Sequence, residues 1–458
     1  MGGCVELRVP QTRTGRGIIS LSTSLPLLPP SHPQRQELND EAHARPPETL
    51  TAPVRISYLA LYGDSSLREG QLQHIAGLAA RFGVKPPAPG AIHYSANMGR
   101  FRLKWERHSE FARYKFIISG TGEDPFADPP IRQVPPEWLA GLTGQTLTAT
   151  HAAFLPLGDA QPDYDAISGR LFAGNPLIGS AVAGGAGIAL TDLRIRPDGF
   201  SRLLVLDKSL RPRQAGRALQ RLLEIDTYRL LALLTLPVAR QLTPALAASE
   251  HELADITSAL VGVAEAGEPQ LLDRLTRLAA QIESFESQNN YRFSAGRAYY
   301  QLVQQRIAEL REERIVAIQT FREFTELRLA PAMNTCSVTA LRLESLSSRV
   351  ARATQLLSTR VDVSREQQSI AVLESMNERA DLQLRLQQTV EGLSVAAITY
   401  YIIGLIGYAA RGVQAGGVKI DPDMAMGIAI PFVILAVAMG IRRIHHKVLH
   451  ASAGQPHK

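Results

Sequence analysis

Residues 393–410 read LSVAAITYYIIGLIGYAA, and this uncharged stretch decides the architecture of the chain. As an α-helix it would extend roughly 27 Å, which nearly matches the hydrocarbon core of a bilayer. Residues 424–441 read MAMGIAIPFVILAVAMGI and are equally long and equally uncharged. The two stretches therefore predict a C-terminal transmembrane hairpin formed by Leu393–Ala410 and Met424–Ile441.

A pair of buried soluble helices is the alternative for this hairpin, but soluble core helices normally keep a polar face, and neither stretch has one. Basic residues flank the hairpin at its outer ends: Arg379 and Arg385 before it, and Arg442, Arg443 and Lys447 after it. The connecting loop holds two basic residues. This bias predicts a multi-pass protein of the cytoplasmic (inner) membrane with both termini in the cytoplasm.

Small residues occur at four positions of the hairpin where membrane helices could approach closely. They are Gly404 and Gly407 in the first span and Ala436 and Gly440 in the second. Such spacing is typical of helix packing and favours helix pairing or homo-oligomerisation. Because Gly and Ala are also common in membrane helices without any interface, the spacing leaves both readings open.

Residues 209–390 are predicted to form long helices packed as a bundle or coiled coil. From Arg297 to Glu391 the sequence has no Gly and a single Pro, Pro331, which favours long helices over a sheet with frequent turns. A helix that begins after Pro331 could continue into the first span. Tyr299–Leu329 is predicted as one helix, and breaks are predicted upstream at Pro237, Pro244, Gly267–Pro269 and Gln288–Asn290. One apolar stripe at helical spacing comprises Ile370, Leu373, Met376, Ala380 and Leu384.

Before Lys208 the sequence consists of short β-prone runs punctuated by Gly and Pro, such as Val54–Tyr62, which predicts an α/β domain over residues 38–208. Helices are predicted in this domain at Glu69–Arg81 and Tyr164–Phe172. Phe101–His108 and Phe111–Ile118 are predicted to pair as a hairpin, and Arg196–Gly199 is predicted to be the turn of another. Antiparallel hairpins favour a mixed sheet covered by helices. The predicted fold class is therefore α+β, with an N-terminal mixed α/β domain, a long helical bundle and a transmembrane hairpin within residues 391–445.

Composition narrows the functional classes. The net charge is +6, but basic and acidic residues alternate along the chain, so nucleic acid is not expected as a partner. The two cysteines, Cys4 and Cys336, form no Cys-x-x-Cys pair, so neither a disulfide framework nor a thiolate metal site is expected. Residues 1–37 are predicted to be a disordered leader and residues 446–458 a basic tail.

Glu41, His43 and Arg45 form the first candidate polar site. Pro46 and Pro47 follow them and are expected to hold the segment extended, with the three side chains on one side. A ligand contact is one interpretation. A docking segment whose charges pair with the domain surface is the favoured one, because no second His, Asp or Glu cluster lies nearby in sequence.

Glu106 and His108 form the second candidate polar site, since alternate residues of a strand share one face of its sheet. A carboxylate beside a histidine that titrates near neutrality could belong to a polar pocket. Such pairs are also common on solvated sheet faces, and this structural interpretation is favoured.

No motif for catalysis or metal binding completes either site. Gly174–Gly187 is rich in glycine but lacks the Gly-Lys-Ser/Thr ending of nucleotide-binding loops, so tight packing or a strand bend is expected there. His251-Glu252 has no second His at zinc-binding spacing. We expect no metal and no cofactor, and the sequence offers no positive evidence for an enzyme.

Several separate motifs together resemble one known family. They are Leu38-Asn-Asp-Glu-Ala-His-Ala-Arg-Pro46, Trp105-Glu-Arg-His-Ser-Glu-Phe111, Gly174-Asn-Pro176, Thr191-Asp192, Leu223-Glu-Ile-Asp-Thr-Tyr-Arg229 and Val390-Glu-Gly-Leu-Ser394. Over about residues 33 to 445 the chain is similar to the uncharacterised bacterial membrane-anchored family catalogued as domain of unknown function 3422. The resemblance implies membrane anchoring and carries over no activity, because none is established for that family.

The order of an α/β domain, long helices and two C-terminal spans also resembles CorA-type magnesium transporters. Those carry Tyr-Gly-Met-Asn at the outer end of the first span, whereas this chain reads Gly407-Tyr-Ala-Ala-Arg411 and keeps Asp421 and Asp423 as acidic loop groups. The leading hypothesis is a cytoplasm-facing interaction or regulatory protein that is anchored in the lipid bilayer and binds an unknown protein partner. The alternative is an oligomeric, CorA-like divalent-cation channel without the usual selectivity motif.

Overall fold

The computed structural model describes residues 30–43, 47–158, 161–262, 267–417 and 421–452 of the 458-residue chain. The chain divides into two compact units. The first comprises residues 1–248 and 282–345, and the second comprises residues 249–281 and 346–458. Residues 1–29 of the predicted leader lie outside the described residues, and the first helix begins within the rest of it, at Arg35.

An eight-stranded sheet forms the centre of the first unit. Its strands are β1 Val54–Tyr62, β2 His93–Asn97, β3 Arg102–Arg107, β4 Phe111–Ser119, β5 Gln145–Pro156, β6 Ile178–Val182, β7 Gly187–Thr191 and β8 Ser201–Asp207. Their order across the sheet is β2-β3-β4-β1-β5-β8-β7-β6. Among these, β5 and β8 pair in parallel and all other neighbours are antiparallel. The predicted mixed sheet is confirmed, as are the β3–β4 hairpin and the pairing of β7 with β8.

Ten α-helices complete the described chain. They are α1 Arg35–His43, α2 Arg68–Arg81, α3 Pro136–Ala140, α4 Tyr164–Leu171, α5 Pro212–Leu233, α6 Thr235–Gly262, α7 Glu268–Leu310, α8 Phe321–Arg328, α9 Ala330–Ala415 and α10 Pro422–Ser452. The bounds of α2 and α4 fall within one residue of the helices predicted from sequence. The fold class is therefore α+β, as predicted.

The two faces of the sheet differ in chemistry because successive residues of a strand point to opposite sides. One face carries the apolar core, in which Leu59, Leu103, Trp105 and Phe116 are buried. The same core includes Leu72, Ile75 and Leu78 of α2 and Trp138 of α3. Burial of this aromatic and aliphatic surface is the main favourable contribution to folding of the unit.

The opposite face of the sheet is polar at its centre, and α5 covers it. Gly216 allows α5 to pack closely against the segment before β1, since a Cβ at this position would lie 1.7 Å from the backbone oxygen of Glu48. Further along α5, Thr227 Oγ1 lies 2.8 Å from the hydroxyl of Tyr58 on β1. Polar side chains of α5 thus meet polar side chains of the sheet.

The glycine-rich stretch Gly174–Gly187 contains β6, and β6 forms a hairpin with β7. Gly179 is required there by close packing, because a Cβ would lie 2.4 Å from the backbone oxygen of Ala189. The prediction of tight packing in place of a phosphate-binding loop is confirmed at this position.

The segment around Glu41 is not extended as expected, because α1 is helical as far as His43. A proline restricts the backbone only of the residue that directly precedes it, so no such restriction is expected at His43. Within α1, the side-chain amide of Gln36 donates to Asp40 one turn away at 2.9 Å, which supports the helix.

Two predicted helix breaks are also wrong. Helix α6 continues through Pro244, where the flanking Leu242 and Leu246 are buried and their packing offsets the lost backbone hydrogen bond. Helix α7 continues through Gln288–Asn290, and the side-chain amide of Asn289 donates to the backbone oxygen of Phe285 at 2.7 Å within the same helix.

The predicted helix Tyr299–Leu329 is interrupted after Leu310. Arg311 adopts a left-handed conformation with φ 47°, which ends α7. The following segment bonds to β6, where the backbone groups of Ala181 and Glu313 exchange hydrogen bonds of 3.0 and 2.7 Å. These bonds satisfy backbone groups that a continuous helix would otherwise have paired within itself.

The second unit consists of parts of α6, α7 and α9 together with α10. Arg274 of α7 pairs with Glu252 of α6 at 2.8 Å, and Arg360 of α9 pairs with Glu268 of α7 at 2.5 Å. Helix α9 is continuous over 86 residues, so the predicted continuation beyond Pro331 into the first candidate span is confirmed. Buried apolar side chains of the three helices include Leu253, Ile256, Leu275, Leu278, Val350 and Leu357.

Three described helical segments are long and apolar enough, by length and composition, to cross a membrane. They are Pro212–Val261, Ala330–Ala415 and Pro422–Gly440. In the most apolar window of each, 33%, 11% and 0% of the residues are buried within the protein. The first segment includes α5, which packs on the sheet, whereas the apolar side chains of the other two are mostly uncovered.

Candidate functional site

The polar face of the sheet concentrates charged residues on β3 and β4. Alternation along each strand places Lys104 and Glu106 of β3 on the same face as Arg113 and Lys115 of β4. The register sets Lys104 directly opposite Lys115 and Glu106 directly opposite Arg113. An ion pair between Arg113 Nε and a carboxylate oxygen of Glu106 joins the two strands.

Helix α5 closes this face and excludes water from it. Glu224 of α5 accepts from Arg113 Nη1 at 2.8 Å. Glu106 is 0% exposed, and Lys115 and Arg113 are 3% and 4% exposed. Charges are this deeply buried only when they are paired, because an isolated buried charge costs several kcal/mol.

The ion pairs continue on both sides of Arg113 as one chain of alternating charge. Toward α7, Arg306 Nε lies 2.6 Å from the second carboxylate oxygen of Glu224. Toward the start of the domain, Lys104 Nζ lies 3.3 Å from Glu106 and 3.5 Å from Glu48. We call this chain the buried ion network; its residues are Glu48, Lys104, Glu106, Arg113, Glu224, Arg306, Glu309 and Arg221.

Mutual attraction keeps the centre of the network ionised. Burial opposes the charge of Glu106, but Arg113, Lys115 and Lys104 outweigh it and lower its pKa to about 2. Burial would likewise lower the pKa of Arg113, but Glu106 and Glu224 hold that pKa above its usual value. Glu224 is also buried, and Arg113 holds its pKa below the ordinary range.

Lys115 differs from its neighbours because nothing compensates its burial fully. Burial, followed by repulsion from Arg113, lowers the pKa of Lys115 to about 7, despite attraction from Glu106 and Glu224. Lys104 opposes it across the strands and adds further repulsion. Lys115 is therefore the group of this site whose charge changes near neutral pH.

Of the five residues in the two candidate polar sites, Glu106 lies in the buried ion network. His108 lies just beyond the end of β3, and its ring stacks on Phe111 with a centroid distance of 4.3 Å. The side chains of Glu41 and His43, and all of Arg45, lie outside the described residues. The expectation of a solvated sheet face is wrong at Glu106, because α5 covers it.

A serine, a histidine and an aspartate also meet in the first unit, at the other end of β1. Ser57 Oγ lies 3.0 Å from His151 Nδ1, and Asp198 lies 3.9 Å from His151 Nε2. Burial lowers the pKa of His151 to about 4 and its ring stacks on Phe200, which favours the neutral imidazole. Ser57 is 0% exposed and already accepts from the backbone N–H of Ile131 at 3.1 Å. This group is closed to a substrate and has a packing role.

A cleft of about 390 Å³ opens at the end of β1 and just before β4, and its lining includes Asp64, Ser109 and Glu110. Arg292 donates two hydrogen bonds to the buried carboxylate of Glu110, at 2.9 and 3.3 Å. Asp64, on the opposite wall, is held by the backbone N–H of Ser66 at 2.8 Å. In the described part of the chain, no group of three or more His, Cys, Asp or Glu residues could hold a metal ion.

The four small residues of the hairpin differ in their surroundings. Gly407 of α9 is packed against α10, since a Cβ there would lie 2.5 Å from the sulfur of Met426. A Cβ at Gly404 or Gly440 would contact nothing within 4 Å. Ala436 is exposed.

Sequence alone pointed to Glu106 but not to the other seven residues of the network, nor to Lys115, which lies beside the network opposite Lys104. Charges that alternate along β4 are normally a sign of a solvated face, so the sequence of β4 does not indicate that they are buried. The informative signal lies in α5, where Glu224 and Thr227 occupy positions between the buried Leu223 and Tyr228. Polar residues inside an apolar helix face predict polar partners beneath it.

Two motifs that carry the family resemblance meet in the network, since Glu106 belongs to Trp105–Phe111 and Glu224 belongs to Leu223–Arg229. Two further motifs, Gly174–Pro176 and Thr191-Asp192, meet near the β6–β7 edge of the sheet, where Asn175 Nδ2 donates to Asp192 at 2.9 Å. A family model described as protein of unknown function, DUF3422, matches residues 30–448. The chain belongs to this DUF3422 family. No curated protein and no solved structure matches the chain.

Membership of the DUF3422 family supplies no reaction, because the family is defined without one. The match covers both units, including the network and the two C-terminal apolar segments. The likeness to CorA-type transporters rests only on the order of the elements and stays a hypothesis.

Proposed function

We propose that this protein is anchored in the cytoplasmic membrane by a hairpin of two spans, and that its first unit is a cytoplasm-facing interaction or regulatory module. One observation carries the proposal: the apolar side chains of residues 393–410 and 424–440 are largely exposed. Tyr400, Leu405, Phe432 and Leu435 are each more than half exposed. So large an apolar surface on two helices is stable in lipid and unfavourable in water.

Two spans fit this proposal better than three. The remaining apolar segment, Pro212–Val261, contains α5, and Leu219, Leu223 and Leu231 of α5 are buried in the first unit. A segment whose apolar face already packs on protein has no need of lipid. An even number of spans also places both ends of the hairpin on one side, in agreement with the basic residues Arg379, Arg385 and Arg443 at its outer ends.

The first unit is better suited to binding or regulation than to catalysis. Its largest concentration of ionisable groups, the buried ion network, is covered by α5 and serves to hold that helix against the sheet. The Ser57 group is equally closed. Accessible surface is offered instead by the helices, which suits recognition of another protein.

Membrane anchoring predicts that the full-length protein stays with the membrane fraction after extraction with alkaline carbonate. The topology can be tested in a Cys4→Ser/Cys336→Ser background with a single new cysteine. With Gln414→Cys, an exposed position between the two proposed spans, a membrane-impermeant maleimide should label intact spheroplasts. With Glu378→Cys, before the first span, labelling should require lysis. Release of the full-length protein by carbonate would rule out the anchor.

A divalent-cation channel is the second candidate, and the continuity of α9 favours it. One helix of 86 residues joins the buried Leu343 and Leu346 at one end to the first span at the other, so a movement at one end would be transmitted along it. Asp421 and Asp423 lie at the start of α10, where they could attract cations. Under the leading proposal, vesicles with the purified protein should show no Mg²⁺ or Co²⁺ uptake above protein-free vesicles. Uptake that Asp421→Asn/Asp423→Asn abolishes would favour the channel.

A further inference from the structure

Helix α9 has a long section without a neighbour in the described part of the second unit. Val361 is buried, but every residue from Arg365 to Val390 is exposed. This section, which we call the stalk, leads directly into the first proposed span. A single helix of this length is only marginally stable in water unless an apolar face is covered.

The stalk carries an apolar stripe with the spacing of a coiled-coil seam. Four of the five residues of the stripe predicted from sequence, Ile370, Leu373, Ala380 and Leu384, occupy positions a, d, d and a of heptads that start at Ile370, and Met376 lies beside them at a g position. Asn377 occupies the remaining a position between Leu373 and Ala380. Ile370, Leu373 and Leu384 are 49%, 61% and 57% exposed, so the stripe is uncovered within one chain.

We propose that the stripe is covered by a second copy of this chain, and that the two stalks form a parallel, two-stranded coiled coil next to the membrane. This inference rests on the proposed membrane anchor. Two chains anchored through the same hairpin present their stalks in the same direction and at the same height. The stripe of each copy therefore faces the identical stripe of the other, which is the arrangement a symmetric dimer requires.

Charges beside the stripe favour the parallel arrangement over the antiparallel one. Glu374 and Asp381 occupy the e positions of the two heptads, and neutral Ser369 and Met376 occupy the g positions. In a parallel pair each e residue meets a g residue of the other chain, so neither carboxylate faces a like charge. In an antiparallel pair the e residues would face each other, with Glu374 against Asp381 and repulsion between them.

Asn377 adds a reason to expect two strands in a fixed register. A single asparagine at an a position can hydrogen-bond to its counterpart across the axis, and a shifted register would leave its amide against apolar side chains. Its polar side chain also argues against burial beneath an unrelated apolar helix. A β-branched residue at a followed by leucine at d, as in Ile370 and Leu373, favours two strands as well.

The first test measures the native mass of the full-length protein in detergent. It compares two variants with the same chemical change on different sides of the stalk helix. Leu373→Glu/Leu384→Glu alters the stripe. Val372→Glu/Leu382→Glu makes the same chemical change off the stripe, at residues that are 59% and 64% exposed and hence equally accessible. We expect two chains per particle for the wild type and for the off-stripe variant, and one for the stripe variant.

Cross-linking in native membranes tests the geometry without detergent. In a Cys4→Ser/Cys336→Ser background, Leu373→Cys should give a disulfide-linked dimer on mild oxidation, because d positions face each other across the axis. Glu378→Cys, at a b position away from the axis, should remain monomeric. Tryptophan fluorescence of both variants should match that of the wild type, which excludes misfolding of the first unit as a cause.

The inference is overturned by a wild type with one chain per particle or with more than two. It is also overturned if both pairs of glutamate substitutions behave alike, or if Glu378→Cys cross-links as well as Leu373→Cys. Carbonate extraction of the same preparations separates this failure from that of the anchor. Monomers that resist carbonate contradict the paired stalk alone, whereas a wild type released by carbonate contradicts the anchor on which the pairing rests.

Discussion

Replacement of Arg113 by Met is expected to lower the free energy of unfolding of the first unit by about 3–5 kcal/mol. Arg113 contacts both Glu106 and Glu224, and all three are almost completely buried. Methionine has a similar length and fills much of the space, so the loss of packing is small. The carboxylate of Glu106 on the sheet and that of Glu224 on α5 would then face each other with no guanidinium between them.

The effect can be measured in the full-length protein, because its two tryptophans, Trp105 and Trp138, both lie in the apolar core of the first unit. Urea titration followed by tryptophan fluorescence therefore reports unfolding of that unit. Arg221→Met is the matched control, since Arg221 pairs with Glu309 at the partly exposed outer end of the same network. It should cost less than about 1 kcal/mol. Equal losses for the two variants would mean that burial of Arg113 does not determine its contribution.

Local patterns in the sequence were sufficient for much of the fold. Strand β1 is predicted with its observed bounds, because Val54–Tyr62 is a compact β-prone run between prolines and a glycine. The β3–β4 hairpin follows from alternation on both sides of a short polar turn. Helices α2 and α4 follow from apolar spacing and from their flanking residues.

Interactions between distant residues account for most of what the sequence could not predict. The parallel pairing of β5 with β8 joins residues some fifty positions apart and leaves no periodic signal. The end of α7 at Arg311 depends on hydrogen bonds to β6, more than a hundred residues earlier in the chain. No Gly or Pro marks that end, so a propensity argument extends the helix too far.

The candidate site divides in the same way. Glu106 could be chosen from sequence because it is an ionisable residue in a predicted strand. Its place in the ion network depends on Arg113, on Glu224, which lies 111 residues after Arg113 in the chain, and on Arg306, which pairs with Glu224. Whether a charged strand face is solvated or covered is decided by which helix packs on it, and the strand sequence alone does not contain this information.

The buried ion network and the proposed paired stalk contribute different properties to the molecule. Burial of several ion pairs contributes little net stability compared with apolar packing, but it makes the seating of α5 specific to one position. In the proposed pairing, the stalk stripe would contribute association between chains.

The network also makes stability of the first unit depend on pH, through Lys115. Burial and repulsion by Arg113 lower the pKa of Lys115 in the folded protein to about 7, from its ordinary value of 10.5. Between these two pH values the unfolded chain binds a proton that the folded chain does not. The free energy of unfolding therefore rises with pH across this window, by about 1.4 kcal/mol for each pH unit. Below pH 7 both states are protonated, and the folded state carries the full cost of a buried ammonium.

Replacement of Lys115 by Met should remove this dependence and stabilise the first unit most where the ammonium is charged. The expected gain in the free energy of unfolding is several kcal/mol at pH 6 and declines toward zero near pH 10. Glu106 keeps Arg113 and Lys104 as partners in this variant, so no carboxylate is left unpaired. Urea titrations of the wild type and the variant at pH 6, 8 and 9.5 measure the difference, with Lys85→Met as the control at an exposed lysine. A variant that is less stable than the wild type at pH 6 would show that Lys115 is held by its carboxylates more strongly than its burial opposes it.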